Sequence, residues 1–365
     1  MIPFIDLTAQ FHECERELLD AASRVLNSGT YILGGEVEAF ERDFAGWLGS
    51  AHGIGVASGT DAIALALTAL GIGHGDDVVT SAFTAVPTVV GIAQSGARPV
   101  FADIAEGGYG LDACEVERVA TPDTRAIVPV HLYGECMDLS ALLDAAHRLG
   151  AVVIEDACQA HGARLGGKAA GTSGAAGAFS FYPTKNLGAF GDAGLIATDD
   201  GAVAGRLRKV RDYGRSCRDL FEEPGRNSRL DELQASMLRV KLERLDAWNE
   251  RRRSLAALYA AELEGLPLEV PREAESGSHV YHLYVVATDE RDDLQRHLEE
   301  RGIAALVHYP VCPHLQDAFA NLGYGPGDFP RAEAAAAHVL SLPLHPALSD
   351  TDAMTVAREV RAFFG

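Results

Sequence analysis

The stretch LSALLDAAHRLGAVVIED, residues 139–156, decides the fold. Leu139 to Leu149 has the apolar spacing of a helix, and Val152 to Ile154 is a short β-branched run of the kind found in strands buried on both faces of a sheet. That run ends on two acids, Glu155 and Asp156, at the carboxyl edge where open α/β sheets place their ligands. Working outward, the same alternation recurs. Leu18 to Leu26, Glu36 to Leu48 and Asp61 to Leu70 read as helices; Asp77 to Thr80, Arg98 to Phe101 and Ala126 to Val130 read as buried strands. The expectation is an α/β protein with an open, mostly parallel sheet.

Toward the C-terminus the texture changes. Arg229 to Tyr259 reads as one or two long amphipathic helices, then come a strand at 279–288, a helix at 292–301, a strand near 303–308, a helical alanine run at 334–337 and a closing helix from Thr351. A large domain, 1–247, and a smaller α+β domain, 248–365, are expected.

The net charge of −21, with no basic block longer than Arg251-Arg252-Arg253, argues against nucleic acid or an anionic membrane as partner. No apolar run spans a bilayer. The six cysteines (14, 114, 136, 158, 217, 312) form no C-x-x-C pair and the first residues lack a signal-peptide pattern, so a reducing cytoplasm is expected.

Of the 31 basic residues only four are lysines, and one, Lys185, stands in FSFYPTKNLGAFGDAG, residues 179–194. An amine that must lose its proton and attack a carbonyl has to be lysine rather than arginine, and a desolvated lysine gives a Schiff base with an aldehyde. Lys168 lies in a glycine-rich turn; Lys209 and Lys241 lie in arginine-rich helical stretches and read as solvated surface charges. Alone, Lys185 reads first as a loop lysine bonded to carbonyls, and the two acids read first as a strand cap or turn. Ser58-Gly59-Thr60-Asp61, before a helix, suits a phosphate at a helix N-terminus or a plain N-cap. Residues 162–169 have Walker spacing but end in alanine, and Gly71-Ile-Gly73-His-Gly75 fails the dinucleotide pattern. His279 and His282, spaced i, i+3, and the loop residues His308 and His314 make poor metal ligands; polar contacts or surface positions are expected, and no metal.

Taken together, Ile5-Asp6-Leu7, Gly35 to Phe40, Ser58 to Asp61, His131-Leu-Tyr-Gly134, Glu155 to Gly162, the Lys185 block, Asn227 to Ala235 and His308-Tyr-Pro310 resemble the DegT family of sugar aminotransferases. These are fold type I, aspartate-aminotransferase-like enzymes that use pyridoxal 5'-phosphate. The resemblance covers nearly the whole chain. It implies Lys185 as the Schiff-base lysine, Asp156 on the pyridine nitrogen, Gln159 near the ring hydroxyl and Phe83 stacked on the ring. It implies Gly59, Thr60 and Ser180 on the phosphate, with Asn227 from a second subunit, hence a homodimer with shared active sites.

Tyr182, Tyr213, His308 and Tyr309 match sugar-site positions. The run after the lysine resembles relatives that aminate the 3-keto carbon of nucleotide-linked (dTDP or UDP) sugars, with L-glutamate as the expected donor. Alternatives are a 4-keto sugar, a cyclitol, or a non-catalytic regulatory protein on the same fold. Ala193 and Cys158 depart from common family residues but are small. Lys185 itself argues against the relatives that carry histidine there and act as dehydratases.

Overall fold

Seven strands build the central sheet: β1 (His52–Val56), β2 (Asp77–Ser81), β3 (Arg98–Ala102), β4 (Thr124–Val128), β5 (Val152–Asp156), β6 (Ala176–Ser180) and β7 (Gly194–Thr198). Their order is β1-β7-β6-β5-β4-β2-β3; β7 runs against both its neighbours and the other pairings are parallel. The structure, a computed structural model, describes residues 1–275 and 277–365. The helices Gly59–Ala69 and Gly201–Val210 cover one face of the sheet, and Gly35–Leu48 and Glu232–Leu242 cover the β6–β7 part of the other. With both faces covered, the strands carry continuous apolar runs.

β1, β6 and β7 lie outside the runs expected from sequence. In β1 and β6 the reason is glycine, which weakens a strand pattern and marks close backbone approach. A Cβ on Gly53 would lie 2.7 Å from the Glu41 carbonyl oxygen, and one on Gly177 would lie 2.2 Å from the carbonyl oxygen of Gly171. Backbone, unlike a side-chain tip, cannot step aside. Gly177→Ala is therefore expected to lose about 1–3 kcal/mol of stability, and an unchanged thermal midpoint would show that the Gly171 turn is not fixed there.

A second core forms after residue 250. Leu255 and Tyr259 pack against the antiparallel pair β8 (Tyr284–Ala287) and β9 (Val339–Leu342) and against the helices Arg291–Glu300 and Asp350–Phe364. Residue 247 falls inside the helix Leu245–Glu262, which carries Leu245 in the first core and Tyr259 in the second. The strand expected at 279–288 shrinks to β8, because the neighbouring backbone is used elsewhere. Val280 N–H donates to the Gly134 carbonyl, Leu283 N–H to that of Tyr133, and the carbonyls of Tyr281 and His282 accept from Arg252. Likewise 303–308 is no strand: Ile303 bridges Ile2 and Leu306 bridges Ser341. Among the described residues no helix is long and apolar enough to cross a membrane.

Candidate active site

Successive residues of a strand face opposite sides, so the two acids that end β5 part company. Glu155 turns to the side of Val153, where it is 1% exposed and fully bonded. One oxygen accepts from His131 Nε2 (2.8 Å) and Gly171 N–H (2.7 Å), the other from Ser173 N–H (2.6 Å) and Gly174 N–H (2.7 Å). His131 Nδ1 accepts from Met137 N–H at 3.2 Å, which leaves the proton on Nε2, pointing at Glu155. Burial alone would raise this carboxyl; the hydrogen bond from His131 and the amides of Gly174 and Gly171 outweigh it and hold the pKa below its ordinary value.

Asp156 faces the other way, with Ile154. One oxygen accepts from Thr88 Oγ1 at 2.8 Å and the other from Cys158 N–H at 3.0 Å; Thr88 in turn meets Thr84 Oγ1 at 3.1 Å. These bonds fix the carboxylate while leaving lone pairs free to accept from a ring N–H. Close by, the helix Gly59–Ala69 begins. Ser58 caps it, its hydroxyl accepting from Asp61 N–H at 3.1 Å, so the amides of Gly59 and Thr60 start the helix with no carbonyl four residues behind them. Gly59 has no room for a side chain: a Cβ would lie 2.6 Å from Ser180 Cβ and 2.8 Å from Cys158 Sγ. Helix terminus, Ser180 hydroxyl and Cys158 converge there in a cradle suited to a phosphate.

Lys185 follows β6 on a turn in which its own N–H donates to the Tyr182 carbonyl at 2.8 Å. Desolvation pulls its amine below the usual lysine pKa, against the opposing pull of Cys158 and Asp156. That direction favours the free amine that attacks a carbonyl. Three imidazoles lie within its field. Burial and the charge of Lys185 lower His161 to about 3 and His308 to about 4, and lower His282 well below its ordinary value. All three are therefore neutral near pH 7.

A lysine after β6, a carboxylate at the end of β5 within its field and a phosphate cradle at Gly59, bordered by Ser180 and Cys158, fit a phosphorylated pyridine aldehyde. Known proteins resemble the chain in sequence and fold. A model of the DegT/DnrJ/EryC1/StrS aminotransferase family matches residues 12–361. The chain belongs to that family. It is 46% identical over 361 residues to the dTDP-3-amino-3,4,6-trideoxy-alpha-D-glucose transaminase of Streptomyces venezuelae, covering 99% of this chain and 95% of the relative. It superposes with a TM-score of 0.97 on a crystal structure of S. venezuelae DesV in complex with a ketimine intermediate, at 46% identity and covering 99% and 98% of the two chains. With NtdA from Bacillus subtilis, solved with bound cofactor PMP, the TM-score is 0.93 at 30% identity, covering 100% and 85%.

The remaining expected residues of this DegT-family aminotransferase divide. Gln159 stands at the site: its Oε1 accepts from Tyr133 N–H at 2.7 Å and its Nε2 donates to the Tyr309 hydroxyl at 3.1 Å. Burial raises Tyr309 to about 12, the Gln159 hydrogen bond opposing and Asp156 and Cys158 reinforcing the rise. His308 Nδ1 meets Ser341 Oγ at 2.9 Å and its ring stacks on Phe4. Phe83 is fully buried, tilted against Tyr109 at 5.7 Å and edge-on to Tyr133 at 6.4 Å, whose N–H is bonded to Gln159.

Tyr182, Tyr213 and Asn227 are exposed on the single chain; Tyr213 has φ of 62° and Arg229 over its ring, and Asn227 bridges Asp212. Thr88 escaped the sequence reading; Tyr133 and His161 entered it only inside the resembling motifs, and His282 only as a rejected metal ligand. Thr88 had one signal, a hydroxyl in the first turn of the helix that follows β2. His314 is no surface residue either: it is buried, with Nε2 3.2 Å from Glu333.

Proposed function

We propose that the protein moves an amino group from L-glutamate to the 3-keto carbon of a dTDP- or UDP-linked deoxy sugar, using pyridoxal 5'-phosphate held by Lys185. The observation that carries this reading is the joint placement of Lys185, Asp156 and the Gly59 cradle, with the depressed lysine pKa. Relatives named for amination at the 3-position support the choice of carbon. When bound, the cofactor supplies an electron sink for the carbanion left as the donor loses its α-proton.

The rest is work for the chain. Asp156, steadied by Thr88, accepts the ring N–H and keeps the ring protonated; Gln159 sits at the ring hydroxyl. Thr60, Ser180 and the first helix amides hold the phosphate, and Asn227 of a second copy completes the cradle in a homodimer. The Lys185 amine takes the proton from the donor α-carbon and returns it to the cofactor carbon, base and acid at one atom. Neutral His308, with Tyr309, Tyr182 and Tyr213, offers polar contacts to the sugar. The two cores correspond to a large and a small domain, and the work is cytoplasmic.

Incubation of the purified protein with glutamate and matched 3-keto and 4-keto nucleotide sugars tests the reading. NMR of the product should place nitrogen on C3. Nitrogen on C4, or turnover only with a cyclitol ketone, would overturn the choice of carbon while leaving the chemistry of Lys185 in place.

A further inference from the structure

Lys241 stands on the helix Glu232–Leu242 and is 3% exposed. It is no surface charge, contrary to its arginine-rich sequence surroundings. Among the described residues it forms no ion pair. Its ammonium donates to the Gly188 carbonyl and lies 4.7 Å from the centroid of the Phe190 ring. Burial draws its pKa down to about 8, with Cys14 pulling the other way. A cation buried without a carboxylate is unfavourable, and a methionine of similar length would fill the space without that cost. A carbonyl and an aromatic face are the groups that compensate.

Both belong to the segment directly after Lys185. Two turns earlier on the same helix, Gln234 bonds both sides of Phe190: its Oε1 accepts from Phe190 N–H at 2.8 Å and its Nε2 donates to the Phe190 carbonyl at 3.3 Å. Gly188 lies close against Pro183 and has no room for a side chain, since a Cβ there would lie 2.3 Å from the Pro183 carbonyl oxygen. From these contacts we infer that Lys241 is a positioning residue: it pins the Gly188–Phe190 segment and through it sets where the Lys185 amine sits. The anchoring stands on the contacts alone; its consequence for rate rests on the aminotransferase reading of Lys185.

Amide hydrogen exchange of the holoenzyme, read by mass spectrometry over residues 182–192, separates the two. In Lys241→Met that peptide should exchange about tenfold faster than in the wild type, while the helix Gly59–Ala69 stays unchanged. The kcat should fall about 10²-fold with little change in KM for the donor. Lys241→Arg, which keeps a donor in reach, should restore both. Should the methionine variant fail to fold, Gln234→Ala loosens the same segment from its partly exposed side and should give the same pattern. Unchanged exchange at 182–192, exchange rising equally in the helix Gly59–Ala69, or faster local exchange with wild-type kcat would each overturn the proposal. If the wild type aminates no keto sugar at all, the substrate reading fails and the exchange result still decides the anchoring.

Discussion

Lys185→Ala will lose the visible absorbance of the lysine-bound cofactor, and turnover will fall by about 10⁴-fold or more, because the nucleophile and the proton carrier are the same atom. The other lysines cannot stand in. Lys168 sits in a small hairpin with Leu165, Lys209 pairs with Glu222, and Lys241 is held on Gly188. The variant should still fold, since among the described residues the Lys185 side chain makes no hydrogen bond. Lys185→Arg should be as inactive as the alanine variant, for a guanidinium keeps its proton at any working pH. Normal transamination by the alanine variant, measured as glutamate-dependent product, would sink the assignment.

Glu155→Gln should be the most destabilising single change near the site, at about 3–5 kcal/mol, although the residue touches no substrate. Four donors converge on its two oxygens, two on each. An amide can accept at only one end; its own N–H groups would face two donors at the other. The folded carboxyl titrates below its ordinary value, so the folded chain binds fewer protons than the unfolded one as the carboxyl titrates. The stabilisation is thus complete above the unfolded pKa and lost as pH falls through the folded one. Urea midpoints of wild type and variant should differ most near neutrality and converge in acid. A gap that stayed constant down to the lowest pH would mean that the charge is not what Glu155 contributes.

Much of this was legible because the relevant residue types are informative by themselves. Val152-Val-Ile ending on two acids gave a strand and its carboxyl edge, and a lysine in an arginine-rich chain singled out a residue that the structure buries and whose amine it draws below its ordinary pKa. Which acid turns toward Thr88 and Cys158, on the side of Lys185, follows only from strand register. The β7 run Leu195-Ile196-Ala197 has the same texture as the strands that were read, whereas Gly53, Gly55 and Gly177 hide β1 and β6, their absent side chains being what lets neighbouring backbone in. Lys241 misled because charge composition along a helix says nothing of the face on which one residue falls.

The helix Leu245–Glu262 runs 18 residues, about 27 Å. A third of the way along, Asn249 holds the His161 carbonyl and the side chain of Asn186, next to Lys185; one turn later Arg252 holds the carbonyls of Tyr281, His282 and Leu344. The rod is therefore a tie beam shared by both cores: Asn249 fastens it to the loop beside Lys185, and Arg252 and Tyr259, whose hydroxyl donates to the Pro343 carbonyl, fasten it to the C-terminal core.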